Sequence, residues 1–125
     1  MDETLPLPES REAIRQIQSQ RKRIAFERAK TARWYQGKLD HIDAGKLDDP
    51  DVWSQIPILT KNILRQFDHA GFMQNFNVAA AADIAEYWRS VGSTGKPVFY
   101  PRTFEDVKYG LESWARTYPA MGIKP

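Results

Sequence analysis

A chain of 125 residues is the size of one domain, or of part of a larger one, and is small for an enzyme that handles several substrates. Its 42% hydrophobic and 12% aromatic content argue against a disordered polymer, and a net charge of +2 is too small to imply a polyanion partner. With no cysteine in the chain, disulfides, thiolate catalysis and thiolate zinc sites are excluded.

Met1 to Glu9 holds Pro6, Pro8 and three acids where a secretion signal needs a basic patch and an apolar run. Residues 1–8 are expected to be a flexible N-terminus, and a cytoplasmic protein is expected. No stretch approaches the roughly 18 apolar residues of a membrane span. Ser10 is placed to cap a long helix, in which Ile14, Ile17, Ile24 and Tyr35 recur on a narrow apolar stripe shared with Arg21 and Arg28. That helix is expected from about Glu9 to about Gln36, with Gly37 ending it. Basic residues dominate Arg11 to Lys38, and Asp40, Asp43, Asp48, Asp49 and Asp51 follow. Neighbouring blocks of opposite sign attract each other or face water more often than they mark a binding surface.

The segment to Pro50 is polar, with Gly45 inside it, and reads as a loop or a short helix followed by a loop. Pro57 demands extended chain before it, and Thr60 is a natural cap for a helix through Ile63, Leu64 and Phe67 that Gly71 would stop. Phe72 to Ala82 is mixed and carries no assignment. Ile84 to Val91 suits a strand, and Val98-Phe99-Tyr100 a second short one. Thr103 with Asp106 three residues on forms a capping box for a helix through Val107, Leu111, Trp114 and Tyr118, ending near Gly122.

Between the two strand-like runs stands Ser90-Val91-Gly92-Ser93-Thr94-Gly95-Lys96-Pro97. Gly92 and Gly95 permit backbone angles closed to other residues, the hydroxyls of Ser90, Ser93 and Thr94 can donate to anionic oxygens, and Lys96 supplies the opposing charge. Backbone amides in such a turn can converge on a phosphate. A Walker A loop is disfavoured: it has four residues between its glycines and a hydroxyl after its lysine, whereas here Ser93 and Thr94 alone separate the glycines and Pro97 follows Lys96. As a bare string of turn-formers the segment would equally suit a plain hairpin turn.

In its order the loop resembles the signature of the acyl-adenylate-forming superfamily, Ser/Thr-Ser/Thr-Gly-Ser/Thr-Thr-Gly-Lys/Glu-Pro, and more narrowly that of phenylacetate-coenzyme A ligases. The likeness extends to Ile56-Pro57-Ile58-Leu59-Thr60-Lys61, to Tyr87-Trp88-Arg89-Ser90 before the loop, and to Trp114-Ala115-Arg116 and Ala120-Met121-Gly122 after it. Only the loop is specific by itself. The resemblance implies an α/β architecture: the N-terminal portion of the large domain of an adenylate-forming enzyme, with a long first helix, short helices, a β-hairpin bearing the phosphate loop and a further helix. It implies that a carboxylate attacks the α-phosphate of ATP to give an acyl-adenylate and pyrophosphate, after which coenzyme A displaces AMP. Ser90, Gly92, Ser93, Thr94, Gly95 and Lys96 would hold the β- and γ-phosphates, with magnesium screening their charge. Val91 departs from the pattern, because a hydroxyl is common at its position.

The family's adenine-side segment, ribose-binding aspartate and mobile lysine have no match before Pro125, so residues 9–125 are expected to be an incomplete N-terminal region of an AMP-binding domain. The rest of the ligase would lie in the same or a companion chain, and a homodimer is left open. A metal site at His41 and His69 is disfavoured, as are a calcium loop among the aspartates and an Asp68–His69 acid-base pair. Trp34, Trp53, Trp88 and Trp114 are expected as core anchors, one of them a candidate to line an aromatic-acid pocket. The competing expectation is a non-catalytic helical module that binds nucleic acid or a protein through Arg21, Lys22 and Arg23, with Arg28, Lys30 and Arg33 beyond.

Overall fold

A computed structural model describes residues 8–90 and 97–123. But for Pro8, the leader expected to be flexible lies outside the described residues. The chain divides into two compact units, whose described parts are residues 8–78 and 79–123. Among the described residues, five α-helices and a two-stranded antiparallel sheet make a mixed fold, compatible with α/β in its general sense.

In the first unit, α1 runs Arg11–Thr31, and the Ser10 hydroxyl accepts from the Ala13 amide at 3.0 Å as its N-cap. The inward face is Ser19, Lys22, Phe26 and Ala29, not the isoleucine stripe: Phe26 is 3% exposed, whereas Ile14, Ile17 and Ile24 stand in solvent. One phenylalanine suffices because the polar loop after the helix folds back on it, bringing Leu39, Ile42 and Leu47 onto the Phe26 ring. Leu39 and Leu47 are each 1% exposed and form the tightest part of this core.

The helix ends five residues before the expected Gln36. At buried Ala32 the backbone turns extended, and Arg33–Tyr35 forms a 3₁₀ turn. Leaving the axis there lets Trp34 meet the Phe76 ring at 5.9 Å and lets the Tyr35 hydroxyl donate to the Pro57 carbonyl at 3.4 Å. Tertiary contacts thus override helix propensity. Gly37 still closes the segment, with φ +76°, a left-handed angle that other residues rarely adopt.

The acidic run becomes caps and ion pairs. Asp43 and Asp49 accept from the amides of Gly45 and Asp51, each at 2.9 Å, the second opening α2 (Pro50–Trp53). Thr60 caps α3 as expected, but α3 is only Lys61–Leu64. Gly71 does not stop it. It ends at Leu64 with Arg65 as its C-cap, and Asp68 then caps a new helix, α4 (His69–Phe76), through the Gly71 amide at 2.7 Å. A side chain at Gly71 would stand 3.1 Å from that carboxylate and 3.2 Å from the Phe67 ring, so the glycine fits within the cap instead of ending a helix. Asp68 is committed to this cap, and α4 takes in the first part of the stretch without an assignment, Phe72 to Phe76.

In the second unit, β1 (Ile84–Arg89) pairs with β2 (Phe99–Thr103), and α5 (Phe104–Ala120) follows at once. The expected capping box is formed. Thr103 N–H donates to Asp106 at 2.9 Å, and Asp106 N–H donates to the Thr103 hydroxyl at 3.2 Å. Gly122, at φ +78°, follows the helix end. The tryptophans are not core anchors. Trp34 is half-buried, while Trp53, Trp88 and Trp114 are exposed, because neither small unit encloses so large a ring.

Candidate functional site

The loop-bearing hairpin is set by its register. Arg89 faces Phe99, Trp88 faces Tyr100, Tyr87 faces Pro101 and Glu86 faces Arg102, with a bulge between Ile84 and Glu86. Beyond the last strand pair, Ser90 N–H donates to the Val98 carbonyl at 2.9 Å, and the Val98 amide donates to the Ser90 hydroxyl at 3.0 Å. These two bonds close the mouth of the loop. Val98, 7% exposed, is the only buried residue among those described in this unit. The Ser90 oxygen is therefore used within the protein, and its O–H keeps a donor for an anion.

Of the loop residues singled out in the sequence, Ser90 and Pro97 stand at the two ends of the mouth. Val91, Gly92, Ser93, Thr94, Gly95 and Lys96 lie outside the described residues. The strands that deliver the loop are made by β-favouring Ile84, Tyr87, Trp88, Phe99 and Tyr100. Pro101 is tolerated because β2 has an open edge, where the missing N–H breaks no ladder bond.

Sequence reasoning missed a cluster beneath the mouth. On one face of the hairpin lie the pairs Glu86 with Arg102, Trp88 with Tyr100 and Ser90 with Val98. Glu86 Oε1 accepts from the Trp88 indole at 2.8 Å and meets the Arg102 guanidinium at 3.0 Å. That guanidinium lies 4.6 Å from the centre of the Trp88 ring and donates to the Asp106 carbonyl of α5 at 3.1 Å. It passes over Gly110, where a Cβ would come within 2.5 Å of Nη2. A glycine inside the Val107-to-Tyr118 helical pattern was the available signal, since glycine in a helix interior costs about 1 kcal/mol relative to alanine and implies a close approach.

Away from the hairpin, the basic face of α1 is largely paired. Lys22 and Arg23 share Asp48 at 3.8 and 3.7 Å, Ser19 also donates to Asp48, Arg15 meets Glu12 at 2.7 Å and Lys30 meets Glu27 at 3.9 Å. Lys22 also lies 5.0 Å from the centre of the Trp53 ring. Among the described residues no helix is long and apolar enough to cross a membrane. No protein-family model, curated protein or solved structure matches the chain.

Proposed function

We propose that this chain supplies the phosphate-gripping loop of an ATP-dependent, AMP-forming acid–coenzyme A ligase of the phenylacetate-ligase kind, as the N-terminal portion of its large domain. The observation that carries the proposal is the placement of the Ser90–Pro97 order. It joins the two strands of an antiparallel pair whose mouth is closed by Ser90 and Val98 and whose second strand runs straight into a capped helix. A connection between strands fits a loop whose glycines are separated by two residues, where a Walker loop would open a helix.

In the proposed reaction the ammonium of Lys96 and the hydroxyls of Ser93, Thr94 and Ser90 hold the β- and γ-phosphates, with magnesium carried in by the nucleotide. A carboxylate oxygen then attacks the α-phosphorus, and the bond to the pyrophosphate bridging oxygen breaks. The thiol of coenzyme A next attacks the acyl carbon, and AMP leaves. The loop's part is to hold charge still, which lowers the barrier by orientation and electrostatic stabilisation. The exposed apolar side chains of the second unit, among them Phe104, Leu111 and Trp114, support its place within a larger body. The carboxylic acid and the remaining catalytic groups belong to that larger body.

The test is a calorimetric titration of the full chain with magnesium-ATP and with magnesium tripolyphosphate. Lys96→Ala and Thr94→Ala should each weaken binding by about tenfold or more, the worth of a hydrogen bond to a charged group. Equal affinities in the wild type and both variants remove the proposal. The competing helical-module expectation would be favoured by salt-sensitive nucleic-acid binding that loop changes leave intact and that neutralising Arg21, Lys22 and Arg23 abolishes.

A further inference from the structure

We propose that Arg102 and Gly110 are positioning residues for the mouth of the loop, acting as one lock between the hairpin and α5. The meaning of that position for a nucleotide rests on the phosphate-loop reading above. Arg102 is the one side chain in the cluster that engages three elements. It stands on β2, pairs with Glu86 of β1 at 3.0 Å and bonds the Asp106 carbonyl of α5 at 3.1 Å. Trp88 is fixed from both sides, its indole N–H on Glu86 and its face under the guanidinium. Glu86 Oε1 serves both partners, so loss of the arginine would also loosen the tryptophan.

Gly110 makes the arrangement sterically available. An added Cβ would stand 2.5 Å from Arg102 Nη2, closer than atoms tolerate, so the tip of the guanidinium would have to shift from its place. The helix itself would gain from alanine. Glycine at this position gives up local helix stability, and the space it leaves is filled by Arg102.

The distance from lock to mouth gives the arrangement leverage. Arg102 and Val98 are four residues apart on one strand run, about 13 Å at the usual rise of about 3.3 Å per residue. A tilt of about 5° about the Arg102 contact therefore carries the Ser90–Val98 pair through about 1 Å. Displacements of that size cost about a hundredfold in reactions that depend on alignment. The side chains at 86, 88 and 90 share one face with 98, 100 and 102, so the tilt is transmitted along a single row.

The experiment uses the full chain as wild type, Gly110→Ala, Arg102→Ala, the double variant and Lys96→Ala. Backbone amide resonances of Ser90 and Val98 and the Trp88 indole resonance are recorded, and each protein is titrated with magnesium-ATP. The expected result is that Gly110→Ala shifts all three resonances and weakens magnesium-ATP binding about tenfold while far-ultraviolet circular dichroism holds or rises. Arg102→Ala should do the same, and the double variant should be no worse than either single one, because Gly110 acts only through Arg102. Ser90 and Val98 resonances that stay put in Gly110→Ala overturn the lock, and so do additive effects in the double variant. Weaker binding in Lys96→Ala but not in Gly110→Ala overturns it as a determinant of nucleotide position. If Lys96→Ala binds as the wild type does, the phosphate-loop reading falls and the resonances alone decide the lock. Should Arg102→Ala fail to fold, Gly110→Ala decides by itself.

Discussion

Tyr35 joins two distant parts of the first unit through one hydroxyl. The chain leaves α1 at Ala32 so that this ring can pack edge-on to Trp34 at 4.6 Å and reach the Pro57 carbonyl at 3.4 Å. Burial raises its pKa above the ordinary 10.0, because the phenolate would lose water that the protein does not replace. The sign follows from proton linkage. The folded state holds the Tyr35 proton more tightly than the unfolded state, so the contribution is fully present below the ordinary pKa and is lost as pH rises through the raised one. Tyr35→Phe should cost at most about 1 kcal/mol near neutrality, because the hydrogen bond is long. It should also flatten part of the alkaline decline in stability. Thermal melts of both proteins between about pH 8 and pH 11 test this, and parallel declines would show that burial of the hydroxyl is irrelevant to stability. The ammonium of Lys22 lies over Trp53 and near Asp48 while its stem helps to cover the core side of α1. A pattern of apolar letters cannot register a lysine used in that way.

Among the elements, those opened by a local cap are the ones the chain announces. Ser10, Thr60 and Thr103 each cap the helix expected of them, because cap and helix lie within four residues of each other. Thr103→Ala should destabilise α5 by about 1 kcal/mol and speed amide exchange at Asp106, with Thr103→Ser restoring both; unchanged exchange at Asp106 would count against the cap. Endings were harder to anticipate. The end of α1 at Thr31 depends on Trp34 meeting Phe76, forty-two positions downstream, and no local signal carries that. At Gly71 the local signal misled, since a glycine marks a stop only where nothing else needs its small size, and here Asp68 and Phe67 do. The loop at Ser90–Pro97 is legible as an order of residues, and the starts of its two flanking strands are legible to within a residue, whereas β2 runs three residues beyond the expected Tyr100. The Arg102 cluster was not legible, because which residues face Glu86 is known only once the register and its bulge are known.

For the molecule as a whole, the two units differ in how they are held. Residues 8–78 enclose Phe26, Leu39, Ile42 and Leu47, whereas in residues 79–123 only Val98 is buried among the described residues. Local stability follows buried contact, so the slowest-exchanging amides should cluster around Phe26, Leu39 and Leu47, and those of β1, β2 and α5 should exchange faster. Hydrogen exchange followed by mass spectrometry distinguishes the cases, and equal protection of α5 and α1 would contradict this account. A bare hairpin is marginal in water, which leaves α5 as the main described support of the strands. The ladder is bonded at Ser90–Val98 and, by alternation, at Trp88–Tyr100, so the ring nitrogen of Pro101 faces away from β1. A foreign strand laid along the outer side of β2 would find one donor missing in the middle of its path, while the outer side of β1 offers no such interruption. Strand addition to this sheet would therefore favour the β1 flank over the β2 flank, and the imino acid makes the sheet a one-sided template.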